Sequence, residues 1–328
     1  MTSRPLTLLA AGALVVLTAT AAHAHGLIGK RFFPATLAID DPFVADELSL
    51  PTLSHIKLRG EEDTPATRET SLSAEVSKRL SPDFGFSLGG TFKILDPDTG
   101  PVLTGFDNME VSLKYVFFKS EQHETLLSVG LDWDVGGTGS KKVGAESFDT
   151  VTPTLFFGKG FGDLPDSVEL AKPLALTGAL GVAIPSRRTN VIKTVEDDGS
   201  VSVEREVNPT VFQWGFTVQY NLQYLQSYVR DIGLPRPLSR MIPIVEVAME
   251  TPLDGPRSGR HTTGTVNPGI IWFGRYIQLG LEAVIPVNER SGKNVGVLGQ
   301  VHFYLDDIWP QIFTWTPFHG VLGPTQPR

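Results

Sequence analysis

The side chains of this sequence best placed to do chemistry are carboxylates that recur at one position of a repeating pattern. Glu75, Glu110, Asp132, Asp134, Glu246, Glu250 and Glu282 each fall on the polar side of a stretch in which apolar and polar residues alternate. Lys93, Lys114 and Lys159 are their basic counterparts, and His302 shares the position. Acids in excess of bases along an aqueous passage raise the local concentration of cations. The same groups can instead pair across neighbouring strands and fill a closed interior. The sequence leaves both readings open.

Hydrolysis is the other chemistry to consider. Ser112, Ser128, His302 and Asp132 are the residue types of a Ser/His/Asp hydrolase, and each stands on a polar face. No G-x-S-x-G elbow, Walker loop, His-Glu-x-x-His pair or EF-hand loop occurs in the sequence. The chain has no cysteine, which excludes thiol nucleophiles, thiolate metal sites and covalent c-type haem attachment. An N-terminal His can chelate copper through its amine and imidazole, and cleavage after Ala24 would expose His25, with His55 the next in sequence. The plainer reading is that cleavage merely leaves a His at the end, so no metal site or cofactor is expected. A net charge of −8 argues against a nucleic-acid partner.

The elements that position these groups follow an export signal. Arg4 precedes an uncharged apolar run, Leu6 to Ala22, which closes on Ala22-His23-Ala24. A basic start, an apolar middle and a small-x-small end make residues 1–24 a secretory signal peptide. No later stretch supplies the roughly 18 uncharged apolar residues of a spanning helix. A mature chain that crosses a membrane must therefore do so with strands, because only helices and closed barrels satisfy every backbone group in lipid.

Strands are what the rest of the sequence offers. Phe84, Phe86, Leu88, Gly90, Phe92 and Ile94 share one face, opposite Gly85, Ser87, Gly89, Thr91 and Lys93. The pattern returns in Met109–Phe117, Leu127–Val135, Phe212–Leu222, Ile277–Ile285 and Val295–Leu305. It is weaker in Leu72–Lys78, Val151–Lys159, Leu176–Ile184, Ile242–Glu250 and Val266–Gly274, and Leu53–Arg59 adds a short strand. That makes about twelve segments of the length that crosses a tilted bilayer path. The polar faces lean to Gly, Ser, Thr, Gln and Asn, whereas a soluble sandwich would expose many charges there. Tyr115, Phe117, Trp133, Phe157, Trp214, Tyr220, Trp272 and Phe303 could form interfacial girdles.

The connections alternate in length. Ser81–Asp83, Ser120–Glu124 and Gly274-Arg275 are short and predicted periplasmic. Asp96–Thr104, Gly136–Phe148, Pro185–Asn208, Thr251–Thr263 and Asn288–Asn294 are mostly longer and predicted external. Two periplasmic links, Phe161–Pro173 and Gln226–Arg240, are long enough to hold short helices. The expected fold is an all-β transmembrane antiparallel up-and-down β-barrel of about 12 strands over residues 53–305, with both termini periplasmic. Residues 25–52 lack alternation and form either a periplasmic extension or a segment folded into the lumen. Residues 306–328 form a periplasmic tail.

The last strand, Gly296-Val297-Leu298-Gly299-Gln300-Val301-His302-Phe303-Tyr304-Leu305, couples glycine to alternating apolar and aromatic positions. In this, and in its signal and strand pattern, the chain resembles the proteobacterial outer-membrane β-barrel proteins, transporters and porin-like barrels among them. It departs from them in not ending on a terminal Phe or Trp. The resemblance implies a cell outer-membrane location, lipid contact and insertion by the barrel-assembly machinery. It leaves three functions: a narrow channel for small solutes, cationic or neutral, with residues 25–52 as a plug; a non-conducting barrel docking a periplasmic partner; and an outer-membrane hydrolase. Channel is the reading preferred, and the chain is expected not to be an enzyme.

Overall fold

The structure is a computed structural model that describes residues 26–60, 65–195, 201–256 and 259–318. The expected signal, residues 1–24, and His25 lie outside the described residues. Twelve strands form the wall. They are β1 (Glu47–Leu58), β2 (Thr67–Arg79), β3 (Phe84–Pro97), β4 (Met109–Ser120), β5 (Thr125–Val135) and β6 (Thr150–Gly160). The ring continues with β7 (Leu174–Pro185), β8 (Val211–Tyr220), β9 (Met241–Pro252), β10 (Thr263–Phe273), β11 (Ile277–Pro286) and β12 (Gly296–Tyr304). Each pairs antiparallel with its sequence neighbours, and β12 closes on β1 through pairs such as Phe303 with Leu48. Closure leaves no unpaired edge.

The two faces are divided in the sense of a membrane barrel. Leu131, Leu180, Val245, Ile270, Leu279 and Leu281 stand exposed on the outer surface, with Trp133 and Phe117. Ser128, Thr177, Thr217, Gln219, Asn267 and Gln278 are buried on the inner one. A soluble protein buries its apolar side chains and shows water its polar ones; this inversion is what lipid selects. Among the described residues no helix is long and apolar enough to cross a membrane.

One rim carries the start of β1 and the end of β12. Its connections are 80–83, 121–124, 161–173, 221–240 and 274–276. The two long ones hold helical turns, Asp166–Ala171 in the first and Leu222–Tyr224, Leu225–Val229 and Leu238–Arg240 in the second. The far rim carries the longer loops, including a hairpin of Thr189–Val195 with Val201–Val207 and a short strand, Leu103–Phe106, that pairs with the end of β3. β1 begins at Glu47, ahead of the expected Leu53. Pro51 lacks a backbone donor, and the ladder absorbs it as a register shift between Ser49 and Thr52 that hides the strand's period.

The lumen is not empty. Gly26–Asp46 runs inside the wall as a re-entrant loop. It leaves the terminal rim at the Leu27–Ile28/Arg31–Phe32 hairpin, reaches mid-lumen near Ile39 and Asp40, and returns to the rim at Asp46. Side chains from both sides make a core in the terminal half. Ile28, Phe33, Phe43 and Val44 pack on Val116, Leu126 and Ala175, while Phe32 and Leu37 pack on Ile242, Ile244, Ile271 and Phe273. Gly280 allows the close approach: a Cβ there would lie 2.5 Å from Leu37 Cδ1. After β12, the turns Leu305–Ile308 and Pro310–Phe313 fold the tail back under β2 and β3, where the Phe318 N–H donates to the Leu80 carbonyl at 2.8 Å.

Candidate functional site

Pairing register places the acidic side chains in rungs around the wall. Glu75 of β2 faces Gly89 of β3, which faces Glu110 of β4, which faces Asp134 of β5. The next rung towards the terminal rim reads Ser77, Ser87, Ser112 and Asp132. Because alternate residues point inward, an E-x-S run such as Glu75–Ser77 or Glu110–Ser112, or the D-x-D run Asp132–Asp134, sends both groups into the lumen. Asp132 accepts from the Ser112 hydroxyl at 2.6 Å and the Thr154 hydroxyl at 3.2 Å, and Asp134 from Asn108 Nδ2 at 2.9 Å. Glu75 accepts from the Ser77 hydroxyl at 3.3 Å. These four carboxylates form one acidic wall, which Thr152 continues beside Asp132, and the vestibule lining runs on through Ala179, Gly181, Gly215 and Ala248.

The other expected positions do other work. Glu246 is fully buried, and its carboxylate accepts the backbone N–H groups of Leu37 at 2.8 Å and of Ala38 and Ile39 at 2.9 Å each. Glu282 is buried on β11, where Gly269 of β10 is its partner in the ladder. Lys114 lies 2.6 Å from the Asp40 carboxylate, donates to the Asp41 carbonyl at 2.7 Å and rests over the Phe156 ring. Lys93 pairs with Asp107 near the far rim, and Glu250 stands on β9 with Gln213 Nε2 at 3.3 Å. His302 is buried, its Nδ1 2.9 Å from the Ser49 hydroxyl and its Nε2 3.3 Å from the Glu47 carboxylate. Lys159 is a correction. Phe156 and Gly158 take the inward positions of β6, so Lys159 falls on the outer row at the rim, where it pairs with Asp163 at 2.8 Å.

The Ser/His/Asp candidates do not assemble. Ser112 bonds Asp132, Ser128 donates to the Pro42 carbonyl at 2.5 Å, and the His302 ring meets Ser49 instead.

Several contributors carried no residue-type signal. Arg31 is fully buried, with Nε 3.0 Å from the Glu124 carboxylate, Nη1 donating to the Pro173 carbonyl at 2.7 Å, and its guanidinium 3.9 Å from the Tyr224 ring centre. Tyr224 donates to Glu124 at 2.9 Å; burial and this neighbouring carboxylate push its phenol up to about 12. Asp46 binds Lys78 at 2.7 Å and Arg79 Nε at 2.8 Å, and Arg79 reaches Asp306 at 2.7 Å. Lys78 also donates to the Phe313 carbonyl at 3.0 Å and the Trp315 carbonyl at 2.7 Å. This clasp joins the re-entrant loop, the wall and the tail at the terminal rim.

Two cavities flank the seated segment. A vestibule of about 890 Å³ opens above Ile39 and Asp40 towards the far rim, where Arg290 borders it. A chamber of about 370 Å³ lies between residues 35–47 and the inner faces of β1–β4 and β12. Both are bounded by Asp40, Glu75, Glu110 and Ser112.

No family model and no curated protein matches this chain. Solved structures do match in fold. An outer membrane channel from Pseudomonas putida F1 superposes with a TM-score of 0.56 at 10% identity, covering 83% of this chain and 99% of that one. The KdgM porin gives 0.44 at 11% identity, and the NanC porin 0.42 at 11% identity, each covering 78% of this chain and 98% of the other. The fold is that of an outer-membrane β-barrel of 12 strands.

Proposed function

We propose that this chain is a narrow outer-membrane channel for small solutes, cationic or neutral, whose bore is set by its own re-entrant N-terminal segment. The terminal rim is then periplasmic, and residues 1–24 serve as the export signal. The reading is supported chiefly by the shared border of the vestibule and the chamber at Asp40, Glu75, Glu110 and Ser112, where a solute's polar path past the seated segment would lie. Glu75, Glu110, Asp132 and Asp134 make no ion pair among the described residues, whereas Lys93 and Lys114 each have a carboxylate partner. The surplus favours cations.

Purified full-length protein in planar bilayers should give a small current with a reversal potential shifted towards the cation. No current across a wide voltage range, in the wild type and in a variant with the segment loosened, would defeat the channel reading. A non-conducting barrel is the second reading, favoured by the clasp of Asp46, Lys78, Arg79 and Asp306 at the terminal rim, where Lys78 also borders the chamber. The same recording separates the two.

A further inference from the structure

The inner chamber is lined by groups that accept hydrogen bonds from several directions. Ser49, Thr52, Ser73, Ser77, Ser87 and Ser112 bring hydroxyls to it. Both lysines on its wall are engaged: Lys78 with Asp46 and two backbone carbonyls, Lys114 with Asp40 and the Asp41 carbonyl. Glu75 and Glu110 have no such cation and flank Gly89 across two strand spacings, about 10 Å. His302, 3% exposed, has Nε2 without a hydrogen bond, 3.3 Å from the Glu47 carboxylate, and Gln300 Oε1 on the same strand is likewise without one. Buried polar groups normally find partners, and those lining a cavity find them in what enters it.

We propose that this chamber is a binding site for a small, hydroxyl-bearing organic cation, held by Glu75 and Glu110 at one end and by the hydroxyls, Gln300 and His302 along its length. A volume of about 370 Å³ lies at the lower end of small-molecule pockets, roughly 300–1,000 Å³, and suits a monosaccharide-sized solute. Anions are disfavoured because no unengaged cation faces the chamber among the described residues. The inference deepens the channel reading and rests on it for the solute's route, but binding can be measured without conduction.

The experiment uses full-length protein in detergent and three probes of one ring size or carbon number: glucosamine, N-acetylglucosamine and gluconate. Titration calorimetry should rank them in that order, with glucosamine at least about tenfold tighter than its neutral analogue, the value of one charge-assisted contact. Glu75→Gln and Glu110→Gln should each weaken glucosamine by about the same factor. Glu289→Gln, far out at the opposite rim, should leave it unchanged. A shift in gel mobility on heating confirms that each variant is folded. Equal binding of the three probes, binding of none, or indifference to both glutamine variants would overturn the site. Expected binding without bilayer current would retain the site and remove the channel; current without a glucosamine preference would do the reverse.

Discussion

Substituting Glu246 by Gln tests whether the re-entrant segment is held by the contacts that reach it. Glu246 Oε1 accepts from the Leu37 N–H, and Oε2 from both Ala38 and Ile39. A glutamine of the same shape keeps one acceptor and turns the other into an NH₂ group, which would point a donor at donors. With its oxygen kept on the Ala38 and Ile39 N–H groups, it loses the Leu37 bond and turns two bonds to a charged acceptor into neutral ones, so the seated state weakens by about 3 kcal/mol. At about 1.4 kcal/mol per tenfold, that is a change of about 10² in the seating equilibrium. Hydrogen exchange of a peptide spanning residues 36–40 reads it directly: protection should fall by about the same factor. Gly280→Val approaches the same segment from another strand, by driving a side chain into Leu37, and should unseat it too. Channel current should rise in both variants. Protection within a few-fold of wild type in E246Q, in a barrel still shown intact by its heat-dependent mobility, would refute the idea that these bonds seat the segment.

Three further outcomes follow from the same geometry. Arg31→Met leaves Glu124 buried without its cation and should lower stability to urea by about 3–5 kcal/mol, the usual loss on breaking a buried pair; a change under 1 kcal/mol would assign the anchor elsewhere. Leu131→Arg puts a charge on the lipid-facing side of β5 and should cost about 2–4 kcal/mol in refolding into bilayers, against almost nothing if that face met water. The Asp254 carboxyl sits below its ordinary range because the Thr210 N–H donates to it at 2.7 Å, with the Thr210 hydroxyl and Arg188 adding to the effect. A depressed value stabilises the loop contact at higher pH and loses it only as pH falls through that value, so the Thr210 amide resonance should titrate with its midpoint below pH 3.8. A midpoint at or above pH 3.8 would remove the contact.

The wall was readable because lipid and lumen impose a period of two on every strand. Phe84–Ile94 shows it plainly: Phe86 and Leu88 meet the outside, and Ser87 and Lys93 the inside. The occupant of the lumen was left as one of two alternatives, because the residues that hold it act on backbone. Nothing in the sequence around Leu37–Ile39 marks three N–H groups that need a carboxylate some 207–209 residues away. There was a signal on the wall, however. Met241-Ile242-Pro243-Ile244-Val245 is apolar on both faces, and Gly215 and Gly280 leave inward gaps; a strand end that is apolar inward needs a cover, and Phe32 and Leu37 supply it. Lys159 was misplaced for the converse reason: a rim residue on the outer row can be charged without meeting the bilayer core.

The presence of that cover follows from size. Side chains fill a barrel of about eight strands, and twelve leave a lumen they cannot close. A segment of chain can fill the space, but it carries one donor and one acceptor per residue, and each must find a partner once water is excluded. Two sets of inward polar residues accordingly differ in meaning. Glu246, Gln278, Ser128 and Lys114 satisfy the segment's backbone, Gln278 Nε2 by donating to the Ala35 carbonyl at 2.7 Å. Glu75, Glu110, Asp132 and Asp134 make no bond to that backbone and stay turned to the cavities. On the proposed channel reading, a substitution in the first set should change how wide the path is, and one in the second should change which solutes favour it. Bore and selectivity should then be separable by mutation, and a variant such as E246Q that raised current while leaving the cation preference intact would show that the two sets act independently.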